Sequence, residues 1–168
     1  MPRVELNPKL VFQSIRAATD EECLGIMARQ LVELGYAKPS FPDAVIARER
    51  VFPTGLPTSG VGVAIPHADA EHVIRPGLAV GILAETVSFA LMGGDGERVP
   101  VDLVIMLAIN DPGEQIEMLQ LVARLIQKPA LLSRIKTSPK EEVIALISES
   151  LSAAHAETSP LTNEGSEP

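Results

Sequence analysis

An α/β fold, a single domain with a mixed β-sheet flanked by helices, follows from three features of the sequence. Apolar runs of strand length alternate with segments whose apolar residues recur at helical spacing. The two longest runs, Leu78–Glu85 and Val101–Ile109, carry few charges, as central strands covered on both faces do. The chain has 168 residues, 46% of them hydrophobic, which fits one domain with a sizeable interior. Aromatic residues make up only 3%, so Leu, Ile, Val, Ala and Met must fill that interior.

Taken in order, Lys9–Gln13 reads as an opening strand. Thr19-Asp20-Glu21-Glu22 is a capping box at a helix start. Cys23, Leu24, Met27, Leu31 and Leu34 follow at helical spacing, and Gly35 is the expected stop. A second helix starts after Ser40 and runs through Arg50, ended by Pro53 and Gly55. The stretch from Pro53 to Gly62 is dense in Gly, Pro, Thr and Ser and reads as a constrained loop. Val63-Ala64-Ile65 is a short strand with Pro66-His67 at its end, where a residue lacking an amide donor fits. Val73–Arg75 is a further short extended piece. Leu78–Glu85 and Val101–Ile109 are strands connected through the turn-rich Met92-Gly93-Gly94-Asp95-Gly96.

Asp111-Pro112 then opens a helix, with Asp as N-cap and Pro at the first position. Its expected buried stripe is Ile116, Leu119, Val122 and Ile126. Pro129 interrupts, a short helical piece runs to Lys136, and Ser138-Pro139-Lys140-Glu141 opens a last helix ending near Leu151. The domain is therefore expected over 1–151. Residues 152–168 lose periodicity, turn small, polar and acidic, and read as a disordered tail.

A net charge of −8 with no basic run argues against nucleic-acid binding and disfavours an anionic membrane surface. The apolar runs are far shorter than a membrane span, so no direct membrane insertion is expected. The charged, proline-bearing start does not read as a signal peptide. Cys23 is the one cysteine and has no internal disulfide partner, which points to a reducing, cytoplasmic setting.

Three histidines are candidates for chemistry. His155 lies in the tail and reads as a bystander. His72 sits in a polar loop. His67 stands at a strand end after a Gly-rich loop, where a scaffold fixes an exposed functional group. Residue type alone favours a structural histidine over a catalytic one. A metal site from His67, Asp69 and His72 matches no established ligand spacing, and a serine hydrolase has no Gly-x-Ser-x-Gly elbow to rest on. The absence of a Gly-x-x-x-x-Gly-Lys motif excludes a P-loop kinase. Phosphoryl chemistry fits the inventory better. An imidazole is a good nucleophile near neutral pH, with one nitrogen attacking while the other is held by a hydrogen bond. Arg48 could offer a fork of donors to phosphoryl oxygens, and Thr54 and the amides around Gly55 could add more. For Arg48 a solvated helix face paired with Glu49 or another acid stays open.

Ala47-Arg48-Glu49, Phe52-Pro53-Thr54-Gly55 and Val63-Ala64-Ile65-Pro66-His67 resemble, in order and spacing, the active-site stretch of the fructose/mannitol-type (type 2) enzyme IIA family of the bacterial sugar phosphotransferase system. The likeness extends over roughly Leu6 to Leu151. It implies a mixed sheet flanked by helices, and a phosphohistidine carrier without metal or organic cofactor. His67 would take a phosphoryl group from the carrier protein HPr and pass it to a cysteine of an enzyme IIB partner, which works with a membrane IIC permease. Arg48 would lie near that group. Where many relatives have a second histidine, this chain has Gln115, which can hydrogen-bond but cannot carry positive charge. That replacement, His72 and the motifs above resemble the galactitol-type branch most, so a polyol or related sugar is expected. A regulatory module of the nitrogen type, whose phosphorylation state controls a partner, is the alternative. Thr54, Gly55, Gln115 and His72 are supporting candidates. Leu56 and Val61 are expected to form an exposed apolar patch beside His67, or else to pack the loop.

Overall fold

A computed structural model describes Val4 and residues 6–158. Among the described residues the strands are β1 (Val11–Ile15), β2 (Gly55–Leu56), β3 (Val63–Ala64), β4 (Gly77–Ala90) and β5 (Arg98–Ala108), and the α-helices are α1 (Asp20–Glu33), α2 (Phe41–Val51), α3 (Pro112–Leu125), α4 (Pro129–Thr137) and α5 (Lys140–Thr158). The strands form one sheet in the order β1-β4-β5-β3-β2. Pairs β1–β4 and β3–β5 are parallel, while β4–β5 and β2–β3 are antiparallel. The expected mixed α/β architecture is thus the observed one.

Each face of the sheet has its own aliphatic core. On one, Leu24, Met27, Leu31, Phe41 and Val45 from α1 and α2 pack on Ala79, Val104 and Met106. On the other, Met118, Leu121, Val122 and Leu125 of α3, with Leu132, Ile135, Val143 and Ile147 of α4 and α5, cover Leu78, Val80, Leu103, Ile105 and Leu107. Alternate residues of β4 and β5 therefore face opposite helical layers, which is why both strands read as unbroken apolar runs.

The helix boundaries follow their local chemistry. Thr19 Oγ1 accepts from the Glu22 amide at 3.2 Å at the start of α1. At its end Gly35 takes φ +81°, and the Tyr36 amide reaches back to the Leu31 carbonyl at 2.9 Å while the Gly35 amide bonds Val32, a Schellman closure that needs the left-handed glycine. Asp111 caps α3 by accepting from the Glu114 amide at 2.9 Å.

Several expectations shift. Pro8–Leu10 form a 3₁₀ turn capped by Asn7, so the opening strand starts at Val11 rather than Lys9. The β4–β5 hairpin is longer than its apolar runs, because the outer ends of both strands carry polar residues on one face. The Pro53–Gly62 loop contains β2, a two-residue strand too short to leave a periodic signature. The buried stripe of α3 is Met118, Leu121, Val122 and Leu125; Ile116 is 59% exposed, since the first turn does not sit over the core. Helix α5 continues to Thr158, so the first residues of the expected tail are helical, and 159–168 lie outside the described residues.

Candidate functional site

The segment after β3 is pinned at the end of the sheet. Leu107 of β5 donates its amide to the Pro66 carbonyl at 3.0 Å, and His67 continues the parallel register opposite Leu107. His67 is thereby held on backbone rather than on a free loop, with 9% of its surface left exposed. Its Nδ1 lies 2.9 Å from the Ile65 carbonyl oxygen. A carbonyl only accepts, so Nδ1 carries the proton and Nε2 bears the lone pair. Nε2 makes no hydrogen bond among the described residues. It is also not sealed away: among the described residues the one solvent-excluded side-chain nitrogen or oxygen without a partner is Arg48 Nε. The imidazole expected at an exposed position is thus a largely buried ring.

Burial pushes the His67 pKa below its ordinary value of 6.5; the Ile65 carbonyl opposes this, the Arg48 charge adds to it and the Asp69 charge opposes it. The ring is therefore neutral and nucleophilic at neutral pH.

Arg48 comes from the last turn of α2. Its Nη1 donates to Asp69 Oδ1 at 3.2 Å, and its Cζ lies 5.3 Å from the centre of the Phe52 ring. The acid that pairs with Arg48 is thus Asp69, two residues past His67, and not Glu49. With Ala44, Ala47, Val51, Phe52 and His72, these two line an open pocket of about 350 Å³.

Glu49 turns the other way. It occupies the next position of the buried α2 stripe, after Phe41 and Val45, and is 6% exposed. Its Oε1 accepts from the Thr54 amide at 2.8 Å, and both carboxylate oxygens lie within 3.1 Å of Thr54 Oγ1. Thr54 Oγ1 in turn accepts from the Ile65 amide at 3.1 Å. The Thr54 hydroxyl is therefore committed inside the fold and is not a free donor for an anion in the pocket, a correction to its expected role. Gly55 is likewise a buried strand residue. Its ideal Cβ would stand 2.5 Å from the Ala90 carbonyl oxygen, so close strand packing, not an anion cradle, requires the glycine.

Gln115, on the first turn of α3, donates Nε2 to the Ala68 carbonyl at 3.3 Å and so touches the His67 segment from the opposite face of the sheet. His72 is turned towards α2. Its Nδ1 is 2.8 Å from Ser40 Oγ and its Nε2 is 3.5 Å from Glu71. It lines the Arg48 pocket without bonding to His67. The side chain of His155 lies outside the described residues.

Of the two expectations for Leu56 and Val61, the packed one holds. Val61 is 6% exposed and packs with Leu56 against the α3–α5 core. Exposed large apolar side chains follow two of the candidate residues in the chain: Val51 and Phe52 after Arg48, and Ile116 after Gln115. Glu49 and Asp69 were missed as site residues. A charged residue in the apolar α2 stripe was the available signal for Glu49, whereas nothing in the sequence joins Asp69 to Arg48.

Among the described residues no cluster of His, Cys, Asp and Glu is arranged to hold a metal ion, and no helix is long and apolar enough to cross a membrane. Comparison with known proteins gives a consistent picture. The galactitol-specific EIIA component of Escherichia coli K12 is 29% identical over 122 residues, covering 73% of this chain and 81% of that protein. The crystal structure of IIA mannitol from E. coli superposes with a TM-score of 0.72 at 28% identity, covering 85% of this chain and 99% of that one. IIA mannitol in its complex with phosphorylated enzyme IIB mannitol, also from E. coli, matches with a TM-score of 0.72 at 26% identity, covering 87% and 99%. The family described as "Phosphoenolpyruvate-dependent sugar phosphotransferase system, EIIA 2" matches residues 5–150, so the chain belongs to this family of phosphohistidine-carrying phosphotransferase components.

Proposed function

We propose that this protein carries a phosphoryl group on Nε2 of His67, accepting it from phospho-HPr and passing it to a cysteine of an enzyme IIB that serves a membrane permease. The observation that carries the reading is the His67 ring itself. Nδ1 is tied to the Ile65 carbonyl at 2.9 Å, leaving the lone pair on Nε2. In the first step that lone pair attacks phosphorus, the new N–P bond forms and the P–N bond to the donor histidine breaks. In the second, a cysteine thiolate attacks phosphorus and the Nε2–P bond returns its electrons to the ring. Nδ1–H stays on Ile65 throughout, so His67 needs no proton transfer.

Arg48 stabilises the charge on the transferring oxygens. In the resting protein its guanidinium is occupied by Asp69, an exposed carboxylate. The phosphoryl group takes over that partner, and Asp69 turns out to water at small cost, since exposed ion pairs contribute little. Gln115 holds the segment through Ala68 and supplies no cationic charge. The galactitol-like motifs and the galactitol-specific relative favour a polyol or related sugar for the pathway.

Incubation with phospho-HPr is expected to give an acid-labile, base-stable adduct on the parent and none on His67→Ala; equal labelling of the variant removes His67 from the mechanism. Presenting the phosphorylated protein to candidate IIB acceptors then tests the pathway. Transfer to a polyol-type IIB supports it, and no transfer to any IIB supports the regulatory alternative.

A further inference from the structure

The buried Glu49–Thr54 pair is a polar investment that the phosphoryl steps leave unused. An acid in the apolar stripe of α2 costs desolvation, and an aliphatic side chain there would pack without that cost. Burial raises the Glu49 pKa, the Thr54 amide and hydroxyl hydrogen bonds oppose it, and the charge of Asp20 on α1 adds to the rise. Asp20 itself is paired with Arg98 of β5 at 2.9 Å.

What this acid does is organise one threonine. The single hydroxyl proton of Thr54 is spent on the Glu49 carboxylate, so towards Ile65 the oxygen can only accept. Its position is specific. Strand β2 begins at Gly55, paired with Ala64, so the next residue of the site segment, Ile65, has no strand partner on that side. The Thr54 side chain supplies the missing acceptor for the Ile65 amide at 3.1 Å. The carbonyl of the same residue receives His67 Nδ1–H.

We propose that Glu49 is a positioning residue for His67, acting through Thr54 and the Ile65 backbone to hold the imidazole in its Nδ1–H tautomer with Nε2 free. This rests on the reading of His67 as the phosphoryl acceptor. The charges that act directly on the ring are Arg48 from α2 and Asp69 from its own segment. The contact path from Glu49 to the ring runs through Thr54 and the Ile65 backbone. If Ile65 rotates, the ring loses its acceptor, the two neutral tautomers mix, and part of the population presents Nε2–H, which has no lone pair to attack with.

The test uses the full chain with ¹⁵N-labelled histidine, read by the ring nitrogen shifts of His67 and by the transfer rate from phospho-HPr. In the parent, Nδ1 is expected to be pyrrole-like and Nε2 pyridine-like. T54V removes the hydroxyl, and its ring shifts should move towards a tautomer mixture while transfer slows roughly tenfold. T54S keeps the hydroxyl and should recover parental shifts and most of the rate. E49Q should shift the ring in the same direction as T54V. A folded T54V or E49Q with parental ring shifts overturns the proposal, whatever its melting temperature; if T54V does not fold, E49Q decides on the same readout. If the parent accepts no phosphoryl group, the functional reading fails while the ring shifts still decide the positioning role.

Discussion

A histidine that receives a phosphoryl group must be neutral when the donor arrives, and the surroundings of His67 work against a proton. Burial is the main cause and the Arg48 charge adds to it, against the Ile65 carbonyl and Asp69. The consequence is a pH profile. The rate of phosphorylation should stay flat from alkaline pH down past the ordinary histidine value of 6.5, and fall only as pH drops through the lowered value. Stability carries the same sign. Between the two pKa values the unfolded chain binds more protons than the folded one, so the contribution of His67 is present above the unfolded value and is lost as pH falls through the folded one. Single-turnover transfer from phospho-HPr across this range, with donor phosphorylation held constant, checks the profile. A midpoint at or above the ordinary value would mean that the ring is not buried as described.

At the scale of elements, the site depends on how β2 and β3 meet the helices. Gly55 is a tight point of β2, since a Cβ would meet the backbone oxygen of Ala90 rather than a side chain that can move. Gly55→Ala should therefore push β2 off the end of β4, destabilise the fold by about 3 kcal/mol and carry Thr54 with it. Denaturant unfolding measures the first effect, and a loss of phosphoryl transfer in the remaining folded protein measures the second. The elements themselves were legible where local chemistry is strong: the Thr19 and Asp111 caps, the Gly35 stop and the two apolar central strands all stand as read. Strand β2 was not, because two residues have no period, and the α3 stripe was misjudged because Ile116 is apolar yet lies on a turn that overhangs the sheet. The site was legible in part for a related reason. His67 and Arg48 belong to contiguous motifs, and Gln115 to a position recognisable beside them. The Arg48–Asp69 pair and the Glu49–Thr54–Ile65 links are contacts between elements, and a single sequence does not state which way a helical arginine or glutamate turns.

Across the whole molecule, the two cores leave the site at one end of the sheet, between helices of opposite faces. Arg48 reaches the segment after β3 from α2, and Gln115 reaches it from α3. Each helix also brings an exposed apolar side chain to that end, Phe52 from the close of α2 and Ile116 from the start of α3. Neither is among the fully buried core residues on which the fold rests. A carrier that must meet both a donor and an acceptor needs one transient contact face around the reactive nitrogen, and a small apolar centre with a polar rim suits that task. The net charge of −8 would favour encounter with a basic partner. Phe52→Glu and Ile116→Glu should accordingly raise the KM for phospho-HPr by roughly tenfold, as the loss of a central contact does, with kcat little changed. Phe52→Glu has a second route to an effect, because Phe52 also lies against the Arg48 guanidinium, whereas Ile116→Glu tests docking alone. A parental KM for Ile116→Glu, with unchanged melting temperature, would move the contact face to the α2 side of the site; a lowered kcat with parental KM would instead tie Ile116 to the chemistry through its neighbour Gln115.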